Sequence, residues 1–157
     1  MGAPFISGIT RAATVVLKQG GVEKYRGEGL AFVSDSNGVF TGRMENITPG
    51  VYDIYVKGWA HLNKKFASIN LASGENNVDL TSFSLKAGDF VTTGTTTSPD
   101  NILNINDVSA ILSIYTSLSI TANDTNRRYD VNADNKIDIM DISLVLANYT
   151  QLNTNGD

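Results

Sequence analysis

Oxygen-bearing side chains recur at fixed intervals in the twelve residues from position 130 to position 141. They occupy positions 1, 3, 5, 9 and 12 of this stretch, and they are Asp130, Asn132, Asp134, Asp138 and Asp141. A tightly curled loop directs alternate side chains toward one point, where the backbone carbonyl of Lys136 at position 7 would join them. A hard cation such as Ca²⁺ takes about six to eight oxygen ligands of this kind. The spacing therefore predicts a calcium site.

This spacing is that of the EF-hand calcium loop, with two departures. Position 6, where the loop turns sharply, is usually Gly, and here it is Asn135, a residue type that tolerates positive φ. Position 12 is usually Glu, and here it is the shorter Asp141. The alternative is a polar turn without metal, and five oxygens in register make that the weaker explanation.

A second, less regular set of oxygens lies upstream. Counted back from position 12 to position 5, its candidate ligands are Asp107, Asn104, the carbonyl of Ile102 and Asp100. Positions 3 and 1 would be Ser98 and Thr96, which are poor ligands, whereas Asp89 lies seven residues before position 1. We infer an insertion over about residues 91–97 that lets Asp89 supply position 1, since loop insertions cost little entropy. The alternative is that the first loop has lost its metal and keeps only its helix.

The two loops belong to an internal repeat. Residues 100–116 and 134–150 are identical at eight of 17 positions, at an offset of 34. Apolar residues follow each loop at the i, i+3, i+4, i+7 spacing of an amphipathic helix: Val108, Ile111, Leu112 and Tyr115, then Ile142, Val145, Leu146 and Tyr149. Because each helix is too short to be stable alone, we expect the two stripes to pack together. Residues 117–125 are expected to link the repeats, and residues 151–157 to form a frayed polar tail.

The first half of the chain has the pattern of β-strands. Strand-like segments separated by turn signals lie at residues 12–18, 30–33, 39–44, 51–59, 66–71 and 78–85. The fourth segment alternates, with Tyr52, Ile54 and Val56 on one face. The pattern predicts an all-β sandwich over residues 1–86 followed by a small α-helical module over residues 87–157, so two small domains in all.

Composition and charge exclude several classes of function. The chain has no cysteine, so it has no disulfide, Cys-ligated zinc or thiol nucleophile. Residues 1–86 carry a net charge of +2 and residues 87–157 a net charge of −6, which argues against a nucleic-acid partner. No apolar run approaches the length of a transmembrane helix. Residues 1–4 do not begin a signal peptide, and we expect an export signal to have been removed.

The duplicated loop–helix unit, with no helix before either loop, resembles a dockerin. The resemblance covers residues 87–151 and rests on both loops and on the Ser-x-x-Leu-x-x-Tyr helices, Ser109–Tyr115 and Ser143–Tyr149. Dockerins plug enzymes and surface proteins into cohesins, as in cellulosomes. The resemblance therefore implies a non-catalytic module that binds two Ca²⁺ and a cohesin-like protein at an extracellular or cell-surface location.

Loop positions 10 and 11 carry a further implication of this resemblance. The best-known dockerins have Ser-Thr there, whereas this chain has Ile105-Asn106 and Ile139-Met140, closer to a hydrophobic, type II interface. The implied partner-binding residues are Ile105, Asn106, Ile139, Met140, Ser143 and Asn148. The alternative for the two isoleucines is that they pack the core. A β-sandwich that leads directly into such a module resembles an X module, and the sandwich itself loosely resembles Ig-like or carboxypeptidase-regulatory-like domains.

Two other classes of function were weighed. A carbohydrate-binding module is the first alternative, because Tyr55 and Trp59 share the outward face of a predicted strand and paired aromatics stack on sugar rings. The simpler interpretation is that they cover a neighbouring loop or the domain interface. An enzyme is the second alternative. It is not favoured, because the only histidine, His61, has no apparent partner and is expected to be a solvated hairpin residue.

Overall fold

The computed structural model describes residues 6–91, 99–115, 119–121, 126–149 and 153–157. Five antiparallel strands form one sheet in the first half of the chain. In chain order they are β1 Thr10–Gln19, β2 Val22–Ser34, β3 Phe40–Thr41, β4 Gly50–Gly58 and β5 Lys64–Leu71. The order across the sheet is β3-β2-β1-β4-β5, so β1 and β4 lie at or beside its centre. The predicted β-rich first half is therefore confirmed.

The longest hairpin follows directly from a pair of glycines. Gln19 pairs with Val22 across a two-residue turn in which Gly20 and Gly21 have φ of 58° and 81°. Both central residues of such a turn need positive φ, which glycine adopts without steric cost. β2 begins eight residues before its predicted start at Leu30, because its first part is charged and exposed and lacks the apolar alternation of a half-buried strand.

One face of the sheet carries the first hydrophobic core. Its buried residues are Val15, Leu17, Tyr52, Ile54, Phe66 and Leu71. Loop residues Met44, Ile47 and Leu80 pack against them, and the five-stranded sheet is consistent with a β-sandwich-like domain. The predicted strand at residues 78–85 was wrong. The side chain of Asp79 accepts a hydrogen bond from the Thr81 amide at 2.8 Å, and such a side-chain turn competes with an extended strand.

The second half of the chain holds two loop–helix units. Its elements are β6 Ile102–Asn104, α1 Ile105–Ile114, β7 Ser119–Thr121, β8 Lys136–Asp138, α2 Ile139–Asn148 and β9 Asn153–Asn155. One turn of 3₁₀ helix, Arg127–Tyr129, precedes the second loop. β7 pairs with β8, and β9 pairs with β6. Both predicted amphipathic helices are present, and none of the described helices is long and apolar enough to cross a membrane.

The second hydrophobic core lies under the two helices and also takes residues from the sheet region. Leu103, Ile111, Ile137 and Val145 are fully buried in it, together with Ala60 and Leu62, which follow β4. Residues 60–62 run beside residues 86–88, with the Gly88 amide donating to the Ala60 carbonyl at 2.8 Å. The sheet and the helices therefore share packed residues. The division into two domains at residue 87 stays a prediction.

Two expectations about the helical half were wrong. Leu112 and Leu146 were expected to be buried, but each is about half exposed. Each ten-residue helix meets the small core along a narrow stripe, which Val108 and Ile111 fill in α1 and Ile142 and Val145 fill in α2. The tail was expected to be frayed, yet residues 153–157 are ordered by pairing with β6 and by a bond of 3.0 Å from the Asp157 amide to the Asn63 carbonyl. Residues 151–152 and parts of the predicted linker lie outside the described residues.

Candidate functional site

The second predicted metal loop is organised by the carboxylates at its first and last positions. The Asp130 side chain accepts hydrogen bonds from the amides of Asp134 and Asn135, at 3.0 and 3.1 Å. The Asp141 side chain accepts one from the Val131 amide at 2.8 Å. Asn135 has φ of 65°, the left-handed conformation that position 6 of the loop requires. The predicted sharp turn at this asparagine is confirmed.

The first loop repeats this hydrogen bonding despite its different length. The Asp89 side chain accepts from the amides of Asp100 and Asn101, both at 3.0 Å. The Asp107 side chain accepts from the Phe90 amide at 2.8 Å, as Asp141 does from the equivalent amide of the second loop. Asn101 has φ of 66°. Asp89 thus takes the same bonding role as Asp130. The inferred insertion falls almost entirely within residues 92–98, which lie outside the described residues.

The last carboxylate of each loop also takes part in capping the helix that follows. Asn104 and Asp138 are the N-cap residues of α1 and α2, and their side chains accept from the amides two residues later, both at 2.8 Å. Asp107 and Asp141 bond back to the N-cap amides, both at 2.9 Å, which completes a capping box at each helix. A negative charge at a helix N-terminus also interacts favourably with the helix dipole. A change at Asp107, Asp138 or Asp141 therefore also alters the cap of the helix that follows.

Four carboxylates in the loops are fully buried: Asp89, Asp107, Asp130 and Asp141. Burial, with a smaller contribution from the charge of Asp130, raises the pKa of Asp141 to about 6. Burial raises the pKa of Asp107 in the same way, with a further contribution from Asp89. Each loop therefore holds two buried carboxylates that repel each other.

The residues of the two loops fit a calcium ion by their chemistry. The second loop adds Asn132, Asp134, Asp138 and the Lys136 carbonyl to its buried pair, and the first adds Asp100, Asn104 and the Ile102 carbonyl. Ca²⁺ prefers such all-oxygen donor sets, and a buried pair of like charges favours a cation. Within the described ranges, no three His, Cys, Asp or Glu side chains gather into a metal-holding group, and the loop carboxylates bond backbone amides instead. Calcium binding stays a prediction.

Two basic residues of the sheet contact these loops, and the sequence analysis did not single them out. The Arg11 Nη2 atom lies 2.5 Å from Asp130 Oδ2, and Lys57 Nζ contacts Asp89 Oδ2. Trp59 adds a hydrogen bond from Nε1 to the Asp130 carbonyl at 3.4 Å, and the Arg11 guanidinium lies 5.6 Å from its ring centroid. Arg11 and Asp130 are 119 residues apart in sequence, so no local pattern could have paired them.

Trp59, Tyr55 and His61, the aromatic and histidine candidates, all contact other residues of the chain. Trp59 packs against the second core, with ring centroids 5.4 Å from Phe40 and 4.6 Å from His61. Trp59 therefore covers a neighbouring loop, the second acidic loop, which is one of the two options of the simpler interpretation. The Tyr55 ring is flanked by Lys18 Nζ, 4.6 Å from its centroid. His61 was expected to be solvated and is buried, because the chain after β4 turns into the helical core and pairs with Ala87.

The starts of both helices expose apolar side chains. Ile105 is 58% exposed, Ile139 56% and Met140 42%, so the alternative that the isoleucines pack the core is wrong. Leu112, Leu144 and Leu146 extend the exposed apolar surface along the helices. Asn106 is half-buried, while Ser143 is exposed and donates its hydroxyl to the Ile139 carbonyl at 2.6 Å. Asn148 donates its side-chain amide to the Ala87 carbonyl at 3.1 Å and so contacts the chain itself.

Comparisons with known proteins bear on the fold. No protein-family model matches the chain, and no curated protein matches it at a significant level. A solved structure described as an N-terminal interface mutant of a type II cohesin–X–dockerin complex from Acetivibrio cellulolyticus matches with a TM-score of 0.52 and 21% identity, over 88% of this chain and 80% of that chain. A C-terminal interface mutant of that complex matches over the same shares with a TM-score of 0.49 and 21% identity. The first likeness shows a fold related to that of a chain in such a complex.

Proposed function

We propose that the chain is a non-catalytic, calcium-dependent interaction module that docks its parent protein onto a cohesin-type partner in an extracellular or cell-surface assembly. The observation that carries the proposal is the pair of equivalent acidic loops, each of which runs directly into the N-terminus of a helix with an exposed apolar start. The likeness to a cohesin–X–dockerin complex chain supports the fold on which this depends. The sheet takes the place of the X module in this proposal.

The exposed apolar surface is suited to a protein partner. An apolar cluster with a polar rim marks an interaction site, and Ser109, Ser113 and Ser143 supply exposed polar groups beside it. Methionine adapts its shape to a partner, which favours Met140 as a contact residue. Asn106 holds the matching position in the first repeat, so the second helix presents the more apolar start and is the favoured docking face.

Calcium would act by fixing the helix starts. The candidate ligands Asp107 and Asp141 also close the capping boxes, so metal bound in each loop would hold the first turn of the following helix in one position. The carbohydrate-binding alternative loses its main support, because Trp59 is engaged with Arg11, Phe40 and Asp130 inside the chain.

The test is binding of the full chain to a panel of purified type I and type II cohesins, in calcium and in EDTA. Binding to at least one cohesin in calcium and its loss in EDTA are expected. Equal binding in both conditions would contradict calcium dependence, and no binding to any cohesin would contradict the proposed partner. A glycan array probed in parallel identifies the carbohydrate-binding alternative directly.

A further inference from the structure

We propose that Arg11 and Lys57 are built-in counter-ions of the two acidic loops, which hold the metal-free loops against the sheet and weaken their affinity for calcium. The inference rests on the calcium binding of the proposed function and adds the residues that tune it. It assigns to the sheet a direct electrostatic influence on metal binding in the helical half.

The two contacts are equivalent although they come from different strands. Arg11 on β1 bonds Oδ2 of Asp130, the oxygen that also accepts from the Asn135 amide. Lys57 on β4 bonds Oδ2 of Asp89, the oxygen that also accepts from the Asn101 amide. The sequence repeat covers the loops and not the strands, so the repeat by itself does not account for the equivalence of these two contacts.

Both carboxylates are fully buried, so solvent and salt screen these contacts weakly. The Arg11 side chain is only 5% exposed, and its Nε has no hydrogen-bond partner among the residues that the structure describes. The Trp59 ring covers its guanidinium. Lys57 is held in addition by a bond from Nζ to the His61 carbonyl at 3.0 Å. Each cation is therefore retained beside its loop.

The effect on calcium follows from the charges. In the metal-free loop, the sheet cation offsets part of the repulsion between the buried carboxylates and so stabilises the folded loop. When Ca²⁺ enters, the same cation lies close to a dication and repels it. Each cation thus stabilises the metal-free form more than the metal-bound form, and by linkage it lowers the calcium affinity.

The test compares calcium titration calorimetry and melting in EDTA for the full chain and its variants. Arg11→Gln is expected to bind calcium about tenfold more tightly at one site, the scale on which loop charge tunes affinity, and to melt several degrees lower in EDTA. Lys57→Gln is expected to do the same at the other site. Arg11→Lys keeps the charge and should stay near the unaltered affinity. Arg26→Gln, which removes an equal charge from an exposed pair with Glu23, is the matched control and should change neither quantity.

The outcomes separate this inference from the function on which it rests. Calcium binding by the unaltered chain, together with unchanged or weaker affinity in both glutamine variants, overturns the counter-ion role alone. Absence of calcium binding by the unaltered chain overturns the proposed function and this inference together. If Arg11→Gln does not fold, Lys57→Gln decides, because its side chain is partly exposed and tolerates substitution better.

Discussion

At the scale of single residues, Asp141 connects the loop to the helix. Its two carboxylate oxygens accept from the Val131 amide and from the Asp138 amide, so one side chain closes the loop and caps α2. Burial raises its pKa to about 6, and the charge of Asp130 makes a smaller contribution in the same direction. The residue therefore carries an electrostatic and a structural role at once.

Asp141→Asn removes the charge and keeps an oxygen that can cap the helix. We expect it to weaken calcium binding at the second loop by an order of magnitude or more, since affinity follows the ligand charge count. Asp130→Ala should weaken binding at least as strongly, and Asn132→Ala should weaken it less because it removes a neutral ligand. Calorimetric titration measures each change. A larger loss in Asn132→Ala than in Asp141→Asn would mean that the loop register is wrong.

His61 gives a pH dependence that is independent of the loops. Burial, with a smaller contribution from the charge of Lys57, lowers its pKa from 6.5 to about 4. Between these values the unfolded chain binds a proton that the folded chain does not, so folding stability falls as the pH falls from 6.5 toward 4. The loss is at most about 3 kcal/mol, from roughly 1.4 kcal/mol per pKa unit.

His61→Phe keeps an aromatic ring beside Trp59 and removes the titrating group. We expect the free energy of unfolding of this variant to depend less on pH between 6.5 and 4 than that of the unaltered chain. Urea denaturation at several pH values measures the difference, in which the contribution of the carboxylates common to both proteins cancels. Parallel pH curves for the two proteins would show that His61 does not titrate in this range.

At the scale of elements, the first turns of α1 and α2 carry the proposed function. Both helices begin with an exposed isoleucine, and both are capped by a side chain that bonds the residue two positions later. The residue whose amide donates to the N-cap side chain is Asn106 in α1 and Met140 in α2. The two residues therefore have different side chains in equivalent backbone positions. This pair provides a matched comparison.

Met140→Asp is expected to abolish binding to a cohesin partner while leaving calcium affinity and helix content unchanged. The side chain is 42% exposed, and a negative charge in the first turn of a helix is favourable, so folding should tolerate it. Asn106→Asp adds the same charge at the equivalent position and should reduce binding less. Binding assays with circular dichroism on both variants make the comparison. Equal effects of the two substitutions would show that the second helix is not the preferred face.

At the scale of the whole molecule, the sheet and the helices are joined by packing and by charge. Ala60 and Leu62 lie in the core beneath the helices, and Trp59 bonds the second loop from the end of the sheet region. The C-terminal residues return to the chain after β4, where the Asn63 side chain donates to the Asp157 carbonyl at 2.8 Å. If the loops bind calcium as proposed, its removal should therefore also affect residues of the sheet region that contact the loops.

Leu62→Ala is expected to lower the free energy of unfolding by about 2–5 kcal/mol, the range for emptying a buried leucine site. Because Leu62 belongs to the core beneath the helices, the helix signal and the strand signal of circular dichroism should be lost in one transition. Val22→Ala, at a side chain that is 59% exposed, is the control and should have little effect. Separate transitions for the two signals would show that the sheet and the helices unfold independently.

Local features of the fold could be predicted from the sequence by itself. The oxygens in register, the turn at Asn135 and the two capped helices depend on residues within about one loop of each other, so spacing and residue type determine them. Most strands of the first half follow in the same way from alternation and turn residues, whereas the charged first part of β2 did not, and the strand predicted at residues 78–85 is absent. In the first loop, the structure gives Asp89 the bonding role of Asp130, whereas the inferred insertion lies almost entirely outside the described residues and stays a prediction.

Only the tertiary structure decided how distant segments meet. Arg11 reaches Asp130 across 119 residues, and residues 153–155 pair with β6, about 50 residues earlier in the chain. His61 is buried and Leu112 is exposed for the same reason: the position of the core relative to an element depends on all the elements around it. Residue type and spacing determine what a segment can form, whereas the packing of non-adjacent segments determines which of its faces is covered.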